Sequence, residues 1–337
     1  MDISRVPIYP ITHVPSHLTM NIQQNIPLAQ FTNWRIGGPA DYFAEVTTRQ
    51  DMEEALAFAT EKKIPFFVLG GGTNVLVSDN GVRGLVIRNK MNDIRLVAYK
   101  GKLDRDTDSS RKHVYVTADA GVLTNRLVRY TLDQGLSGLE NFLGQPGSLG
   151  GAVYINAHNM NQNDFIGDHM VEAELLSPDG KIRTEPQSYF NFGYDVSTLQ
   201  DSPEVVLSVT FQLINKADEK DAIWEKAEAA MKYRHNTQPK GHPTAGCTFR
   251  NVSDEDAKKA NLPSGIKSAG FMIDACGLKG TQIGNAKISD EHANFILNMG
   301  SATSDDVKQL IDLSKKKIAE KFGINVHEEV VLVGEFE

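Results

Sequence analysis

One cysteine stands where a thiol could take part in chemistry. Cys247 lies in the stretch HPTAGCTFRN, between small residues and an aromatic-basic pair, and it is one of only two cysteines among 337 residues. A thiol becomes a nucleophile when a base activates it, and His242 or His292 could supply that base in a cysteine-dependent hydrolase. Free cysteine is also among the most buried residue types, so a structural role is the alternative. The residues alone favour the structural role, and Cys276, at helical spacing from Met272, receives the same assignment.

A glycine-rich loop follows the predicted buried strand IPFFVL. The loop consists of Gly70, Gly71, Gly72, Thr73 and Asn74. Backbone N–H groups of such a loop can approach an anion closely and bind a diphosphate without any basic side chain. A Rossmann dinucleotide site would need a helix directly after the glycines, whereas the strand-like VLVS follows here. A tight turn without a ligand is the alternative interpretation.

A second glycine-rich region, GQPGSLGGA, contains four glycines and a proline in nine residues. This gives the backbone more freedom than a simple connection requires. Two such loops in adjacent parts of the chain indicate one large, flat, phosphate-bearing ligand between them. A cofactor such as FAD would fit this description.

The elements that position these loops can be read from hydrophobic periodicity. Helices are predicted over residues 51–63, 123–135, 217–234 and 304–322, with Ser304 as an N-cap and Gly323 as the stop of the last one. Shorter apolar stretches predict a helix at SAGFMIDAC, a hairpin at AELLSPDGKIRT and a half-buried strand at VVLSVTFQLI. The polar segment 100–113 is predicted to be an exposed loop.

The composition excludes several classes of protein. A formal net charge of −8 argues against the basic face that nucleic-acid binding usually needs. The longest apolar run is too short to cross a membrane, and the N-terminal residues lack the apolar core of a signal peptide. Two cysteines predict neither a disulfide framework nor a metal site. We therefore expect a cytoplasmic protein without nucleic-acid or membrane partners. A monomer is compatible with the sequence, which does not determine the oligomeric state.

Six motifs, in order and with sensible spacing over residues 25–335, resemble one enzyme family. They are TNWRIGGPADYF, LGGGTNVLVSD, GLENFLGQPGSLGGAVYINA, PTAGCTFRN, AGFMIDACGLKGTQIGNAKISDEHANFILN and EEVVLVG. Together they resemble UDP-N-acetylenolpyruvoylglucosamine reductase, the flavoenzyme that completes UDP-N-acetylmuramic acid for bacterial peptidoglycan. An FAD oxidase of the same fold with another substrate is an alternative. Such oxidases often attach FAD to a histidine beside the glycines, and LGGGTNV has none.

The resemblance implies an α+β protein with an FAD-binding module of the vanillyl-alcohol-oxidase type and a third domain that closes over a UDP-sugar. The implied parts are an irregular arm (1–20), two FAD-binding subdomains (21–93 and 94–215) and a substrate-binding domain (216–337). NADPH would donate a hydride to the flavin, which would pass it to the enolpyruvyl group of the substrate. Besides the first glycine loop, the implied FAD site comprises Arg35, Gly144, Pro146, Gly147, Ser148, Gly150, Gly151 and Ala152.

The resemblance also gives Cys247 a role. Hydride addition to the terminal carbon of an enolpyruvyl ether leaves an enolate that an acid must protonate. The family motif usually has serine at this position, and a mostly protonated thiol can replace it. Glu329 matches a family glutamate that stabilises or protonates the intermediate, although Glu328 makes a one-residue slip possible. Residues implied at the substrate are Tyr194, Arg234, Asn251, Lys279 and Asn294.

Asp195 departs from the family pattern. The family commonly has an arginine there, which pairs with the substrate carboxylate, whereas an ionised Asp195 would repel it. The loss should cost several kcal/mol of transition-state stabilisation, on the order of an oxyanion-donor loss. Another cation could replace the arginine, with Arg234, Lys240 and Arg250 as candidates. Alternatively, Asp195 is turned away or the activity differs. The insertion pattern around residues 157–170 is also uncommon for the family.

Overall fold

The computed structural model of the protein describes residues 20–97 and 113–336. The predicted arm and the predicted polar loop therefore lie outside the described residues, except for Met20 and His113. The strands are β1 (Ile22–Pro27), β2 (Pro39–Val46), β3 (Phe66–Leu69), β4 (Val75–Val77), β5 (Val82–Asn89), β6 (Ile94–Val97), β7 (His113–Asp119), β8 (Leu136–Ser137), β9 (His158–Asn159), β10 (Asp164–Phe165), β11 (Met170–Leu176), β12 (Ile182–Pro186), β13 (Val205–Asn215), β14 (Gln282–Ile283), β15 (Ala286–Ile288), β16 (Ile296–Asn298) and β17 (Val331–Val333). The α-helices are α1 (Arg49–Lys62), α2 (Thr124–Asp133), α3 (Leu149–Tyr154), α4 (Lys220–Thr237), α5 (Asp254–Lys259), α6 (Ala269–Ala275) and α7 (Ser304–Phe322). None of the helices in these ranges is long and apolar enough to cross a bilayer.

The first sheet has the strand order β1-β2-β5-β3, in which β2, β5 and β3 are parallel and β1 is antiparallel to β2. Helix α1 covers it with the apolar face that the periodicity predicts, including Met52 and Leu56. Thr48 caps this helix in a capping box with Asp51, and Lys63 ends it in the left-handed region at φ 54°. The first glycine loop leaves the sheet at the end of β3.

The second sheet is antiparallel, with the order β12-β11-β13-β7-β6 and β8 attached to β13. β13 is buried at almost every position rather than half-buried, because it packs into two cores. Val205 and Leu207 join the core beside α1, while Val209 and Phe211 join the core formed with α2 and α3. The alternation in VVLSVTFQLI was therefore misleading, because both faces of this central strand are covered.

The C-terminal part is built from the small sheet β14-β15-β16 with α6 and α7. Its core includes Trp34 and Ile36, whose sequence positions lie far away in the N-terminal part. Thr303, rather than the predicted Ser304, caps α7 in a capping box with Asp306. Ser304 instead donates its hydroxyl to Asp79 at 2.9 Å, and the predicted stop at Gly323 is confirmed, with φ 68°.

Further contacts link the parts. β17 runs parallel to β4, with Val331 opposite Val75, so the chain just before residue 331 lies beside the first glycine loop. Helix α4, which the sequence assigns to the substrate-binding domain, packs Ile223 and Ala227 against the core of the second sheet. The domain boundaries themselves stay a prediction.

Candidate active site

Both glycine loops line one cavity of about 550 Å³. The predicted residues on its wall are Gly70, Gly71, Gly72, Thr73, Asn74, Pro146, Gly147, Ser148, Gly150, Gly151 and Ala152. Arg35 and Gly144 are not among its lining residues. Arg35 is exposed at φ 57°, and the Gly144 N–H donates to Asn125 at 2.9 Å. The cavity therefore unites most of the residues assigned to FAD.

The two loops meet through their backbones. A Cβ atom on Gly71 would lie 2.8 Å from the Gly147 Cα, closer than two carbon atoms can pack. Gly72 has φ +64°, and a Cβ there would collide with the carbonyl oxygen of Phe31. Within the described residues, the N–H groups of Gly71, Gly72 and Thr73 donate no hydrogen bond. Donors that face a cavity without a protein partner fit a diphosphate group.

The buried side-chain amide of Asn294 holds the segment that carries Cys247. The residue bridges to Phe295, and the Asn294 side chain accepts from the Phe249 N–H at 2.9 Å and donates to the Phe249 carbonyl at 2.8 Å. Thr248 donates its N–H to the Asn294 carbonyl at 2.7 Å. Asn294, predicted at the substrate, thus supports the cysteine segment through backbone contacts.

Glu329, near the C-terminal end of the chain, lies beside the segment that carries Cys247. Its N–H donates to the Thr248 carbonyl at 2.9 Å, and its own carbonyl accepts from the Asn74 side chain at 3.1 Å. The neighbouring Glu328 pairs with Lys315 at 2.9 Å, which favours Glu329 over Glu328 as the candidate carboxyl of the site. Burial, together with the negative charge of Asp195, raises the pKa of Glu329 well above its ordinary value.

Asp195 is not turned away from the site. It is fully buried, in the left-handed region at φ 55°, and its charge acts on Tyr194, Cys247 and Glu329. Burial raises its pKa to about 6, in spite of the opposing charge of Arg250. Removing a carboxyl from water costs free energy, and folding alone does not require that cost. A buried carboxyl of this kind is therefore a candidate for a functional role.

Two of the three candidate cations belong to this group. Arg250 acts electrostatically on Asp195 and Glu329, while Arg234 acts on Cys247. Both have a buried Nε atom without a partner in the described part of the chain. Lys240 is different, since its exposed amine contacts His235 at 3.1 Å. The arginines are therefore the cations available to an anionic substrate.

The environment of Cys247 favours a thiol rather than a thiolate. Burial, and then the charges of Glu329 and Asp195, raise its pKa far above the ordinary value. A cysteine nucleophile needs the opposite shift. No hydrogen bond joins Cys247 to an imidazole in the described residues, and the His292 Nδ1 accepts from the Asn294 N–H at 3.3 Å instead. The hydrolase alternative therefore lacks its base.

Of the remaining predicted residues, some lie at the site and one does not. The Asn251 N–H donates to the Tyr194 hydroxyl at 3.4 Å, which places both at the edge of the group. Lys279 pairs with Asp274 at 3.0 Å and has no contact with Cys247 or Glu329 in the described residues. His158 was missed, although it lies next to Tyr194 with ring centroids 4.8 Å apart. The uncommon insertion pattern around residues 157–170 was the available signal.

Two family models match the chain. The model described as an FAD binding domain covers residues 40–185, and the C-terminal domain of UDP-N-acetylenolpyruvoylglucosamine reductase covers residues 238–333. The reductase of Moorella thermoacetica is 36% identical over 318 residues, which are 94% of this chain and 95% of the relative. The reductase of Bacillus subtilis is 37% identical over 313 residues, which are 92% of this chain and 93% of the relative.

Solved structures give the same result. The crystal structure of UDP-N-acetylenolpyruvylglucosamine reductase from Thermus caldophilus has a TM-score of 0.71 and 31% identity, and it covers 93% of this chain and 99% of its own. The 6-hydroxy-D-nicotine oxidase of Arthrobacter nicotinovorans, at 13% identity, a TM-score of 0.51 and coverage of 92% and 88%, shares the fold alone. The predicted α+β fold with a two-part FAD-binding module is confirmed. The chain belongs to the UDP-N-acetylenolpyruvoylglucosamine reductase family.

Proposed function

We propose that the protein uses NADPH and FAD to reduce the enolpyruvyl group of UDP-N-acetylglucosamine enolpyruvate, giving UDP-N-acetylmuramate for peptidoglycan synthesis in the cytoplasm. The observation that carries this proposal is the meeting of the Cys247 thiol, the Glu329 carboxyl and two arginines beside the glycine-lined cavity. Membership of the family supports the choice of substrate.

The residues around the cavity would hold FAD. The diphosphate fits the first glycine loop, where Gly71, Gly72 and Thr73 offer free N–H groups. The second loop, from Pro146 to Ala152, would line the other side. When bound, FAD supplies the carrier that moves a hydride from NADPH to the substrate. The protein supplies geometry, charge and the proton.

Cys247 is the proton donor in this proposal. Its raised pKa keeps the sulfur protonated at neutral pH, so that the thiol holds a proton for the enolate carbon. Asn294 and the Phe295 bridge fix the segment, and this limits the movement needed at the moment of transfer. The serine that is usual in the family would offer the same proton from a hydroxyl.

Glu329 and the arginines provide the electrostatics. The raised pKa of Glu329 favours its protonated form, which can donate a hydrogen bond to the developing enolate. Arg250 and Arg234 offer the positive charge that the family arginine would provide at position 195. A buried cation next to a developing negative charge is worth several kcal/mol, on the order of an oxyanion-hole donor.

The test is to identify the product. The protein is incubated with NADPH and UDP-N-acetylglucosamine enolpyruvate, and the UDP-sugar is analysed by mass spectrometry. We expect a product heavier by two hydrogen atoms, formed in the same amount as NADPH is consumed. Consumption of NADPH and oxygen with an unchanged UDP-sugar would instead support the oxidase alternative.

A further inference from the structure

His158 and Asp195 face each other inside the site. The distance from the His158 Nδ1 to the Asp195 Oδ1 is 3.5 Å, with side-chain exposures of 14% and 0%. The imidazole ring of His158, on β9, lies between the rings of Phe165 and Tyr194, at centroid distances of 5.6 and 4.8 Å. The ring is therefore fixed with one nitrogen directed at the carboxyl.

The facing atoms of this pair have no other partners. The Nδ1 atom of His158 and both carboxyl oxygens of Asp195 are buried and lack a hydrogen bond within the described residues. Buried polar groups without hydrogen bonds are costly, and a carboxylate is costlier than a neutral group. A proton between Nδ1 and Oδ1 would satisfy two of these atoms after a small approach of the two side chains. The neutral imidazole can place its own ring proton there, which leaves the pair with one negative charge, whereas one further proton makes the pair neutral.

Cations around the pair oppose such a proton. On the His158 side, Arg234 approaches the His158 carbonyl oxygen at 3.5 Å, and burial together with the Arg234 charge lowers the pKa of His158 to about 4. On the Asp195 side, burial raises the pKa to about 6 while Arg250 lowers it. The other titratable groups that act here are Tyr194, Cys247 and Glu329. Burial raises the pKa of each above its ordinary value, which disfavours a negative charge on any of them.

An anion that binds Arg234 and Arg250 would remove this opposition. The arginines would then share their charge with the anion, and the negative charge of Asp195 would face a second negative charge. Both changes favour protonation of the pair. Because the His158 Nδ1 and the Asp195 Oδ1 face each other at 3.5 Å, we assign the added proton to the pair and not to one residue.

We propose that His158 and Asp195 form a positioning pair that takes up one solvent proton when the substrate carboxylate binds beside Arg234 and Arg250. The shared proton turns Asp195 from a repelling charge into a neutral, hydrogen-bonded group. This adapts the site to the aspartate that stands where the family has an arginine. The inference rests on the proposed function, because that function supplies the carboxylate.

The direction of the pH effect follows from linkage. Binding raises the apparent pKa of the pair, so proton uptake occurs above the pKa of the ligand-free pair, which is about 6 for Asp195. Below that pH the pair already carries the proton, and binding needs no further uptake. Above it, the affinity for a carboxylate-bearing ligand falls about tenfold per pH unit until the pKa of the bound pair is reached.

The experiment compares two UDP-sugars that differ by the carboxylate. UDP-N-acetylmuramate carries the lactyl carboxylate, whereas UDP-N-acetylglucosamine lacks it. Their binding to the oxidised, FAD-loaded protein is measured by calorimetry at about pH 7.5, in buffers of different ionisation enthalpy, which gives the number of protons taken up. We expect close to one more proton with UDP-N-acetylmuramate than with UDP-N-acetylglucosamine, and a smaller difference at about pH 5.5.

Variants of Asp195 and His158 test whether the pair takes up the proton. Asp195→Asn should abolish the extra uptake and remove the pH dependence of the affinity. His158→Phe, which keeps a ring between Phe165 and Tyr194, should reduce the uptake by at least about half, with His158→Gln as a second variant if it folds poorly. His169→Gln is the matched control, because His169 pairs with Asp164 at 2.6 Å on the neighbouring strand β10 and should leave the uptake unchanged.

Equal uptake with both sugars would overturn the proposal, and so would full uptake in either Asp195→Asn or His158→Phe. If neither UDP-sugar binds, the proposed function is wrong, and the proposed proton uptake, which rests on it, is wrong as well. The two failures are therefore distinguishable.

Discussion

The Asn74 side chain donates a hydrogen bond of 3.1 Å to the carbonyl oxygen of Glu329, across 255 positions of the chain. The contact ties the glycine loop of the FAD-binding module to the segment just before β17 that carries the site carboxyl. The parallel pairing of β4 with β17 continues it, since the Val331 N–H donates to the Asn74 carbonyl at 3.0 Å. The acid groups are thereby held at a fixed place relative to the cavity.

The thiol of Cys247 can be tested as an acid. Cys247→Ser should keep useful activity, because a hydroxyl can donate the same proton, whereas Cys247→Ala should lower kcat about 10²- to 10⁴-fold. The measurement is steady-state turnover with NADPH and the enolpyruvyl UDP-sugar. Cys276→Ser is the control and should leave kcat unchanged, since that residue packs against the C-terminal core and its thiol donates to the Lys317 carbonyl oxygen at 3.5 Å. Equal losses in the serine and alanine variants would refute the acid role.

The two adjacent glutamates should behave differently. Glu329→Gln should lower kcat about 10²-fold or more, because a protonated carboxyl beside the enolate is replaced by a weaker donor. Glu328→Gln breaks only the partly exposed pair with Lys315 and should change kcat less than about twofold. Stopped-flow measurement of flavin reduction by NADPH serves as the control, and both variants should retain it. A larger loss in Glu328→Gln would contradict the placement of Glu329.

Asn294 should matter for turnover beyond its contribution to stability. Asn294→Ala leaves the Phe249 N–H and carbonyl without partners and should cost about 1–3 kcal/mol of unfolding free energy. Asn298→Ala is a matched control, because that buried amide also bonds backbone, donating to the Trp34 carbonyl at 2.8 Å. Thermal unfolding should show similar losses for both, while kcat should fall more in Asn294→Ala. Equal kcat values would show that Asn294 does not position Cys247.

Restoring the family arginine should not raise turnover. Position 195 is fully buried at φ 55°, so Asp195→Arg places a long cation beside Arg250 and Arg234 in a strained backbone conformation. We expect a lower Tm and a kcat no higher than that of the unmodified protein. A large rise in kcat would refute the conclusion that the two arginines already supply the positive charge.

Local signals were sufficient for several helices and for the glycine loops. The periodicity of Met52, Ala55, Leu56 and Ala59 predicted α1, and Gly323 marked the end of α7. The glycine loops were recognisable because few other sequences allow two backbones to approach as Gly71 and Gly147 do. The resemblance then indicated Cys247 and Glu329, which the structure brings together.

Relationships between distant segments could not be predicted in the same way. The packing of α4 on the second sheet and the insertion of Trp34 into the C-terminal core depend on tertiary contacts, not on local pattern. The contact of Asp195 with His158 joins a residue in the left-handed backbone region to a strand of only two residues, β9. Hydrophobic periodicity does not predict such a contact, because neither segment is long enough to show a repeating pattern.

The visible spectrum of the FAD-loaded protein under anaerobic conditions tests the central claim most directly. NADPH is added first and UDP-N-acetylglucosamine enolpyruvate second. We expect the yellow flavin band to bleach with NADPH and to return with the UDP-sugar, so that both half-reactions are observed in one titration. A band that bleaches and stays bleached after the UDP-sugar is added would contradict the assigned substrate.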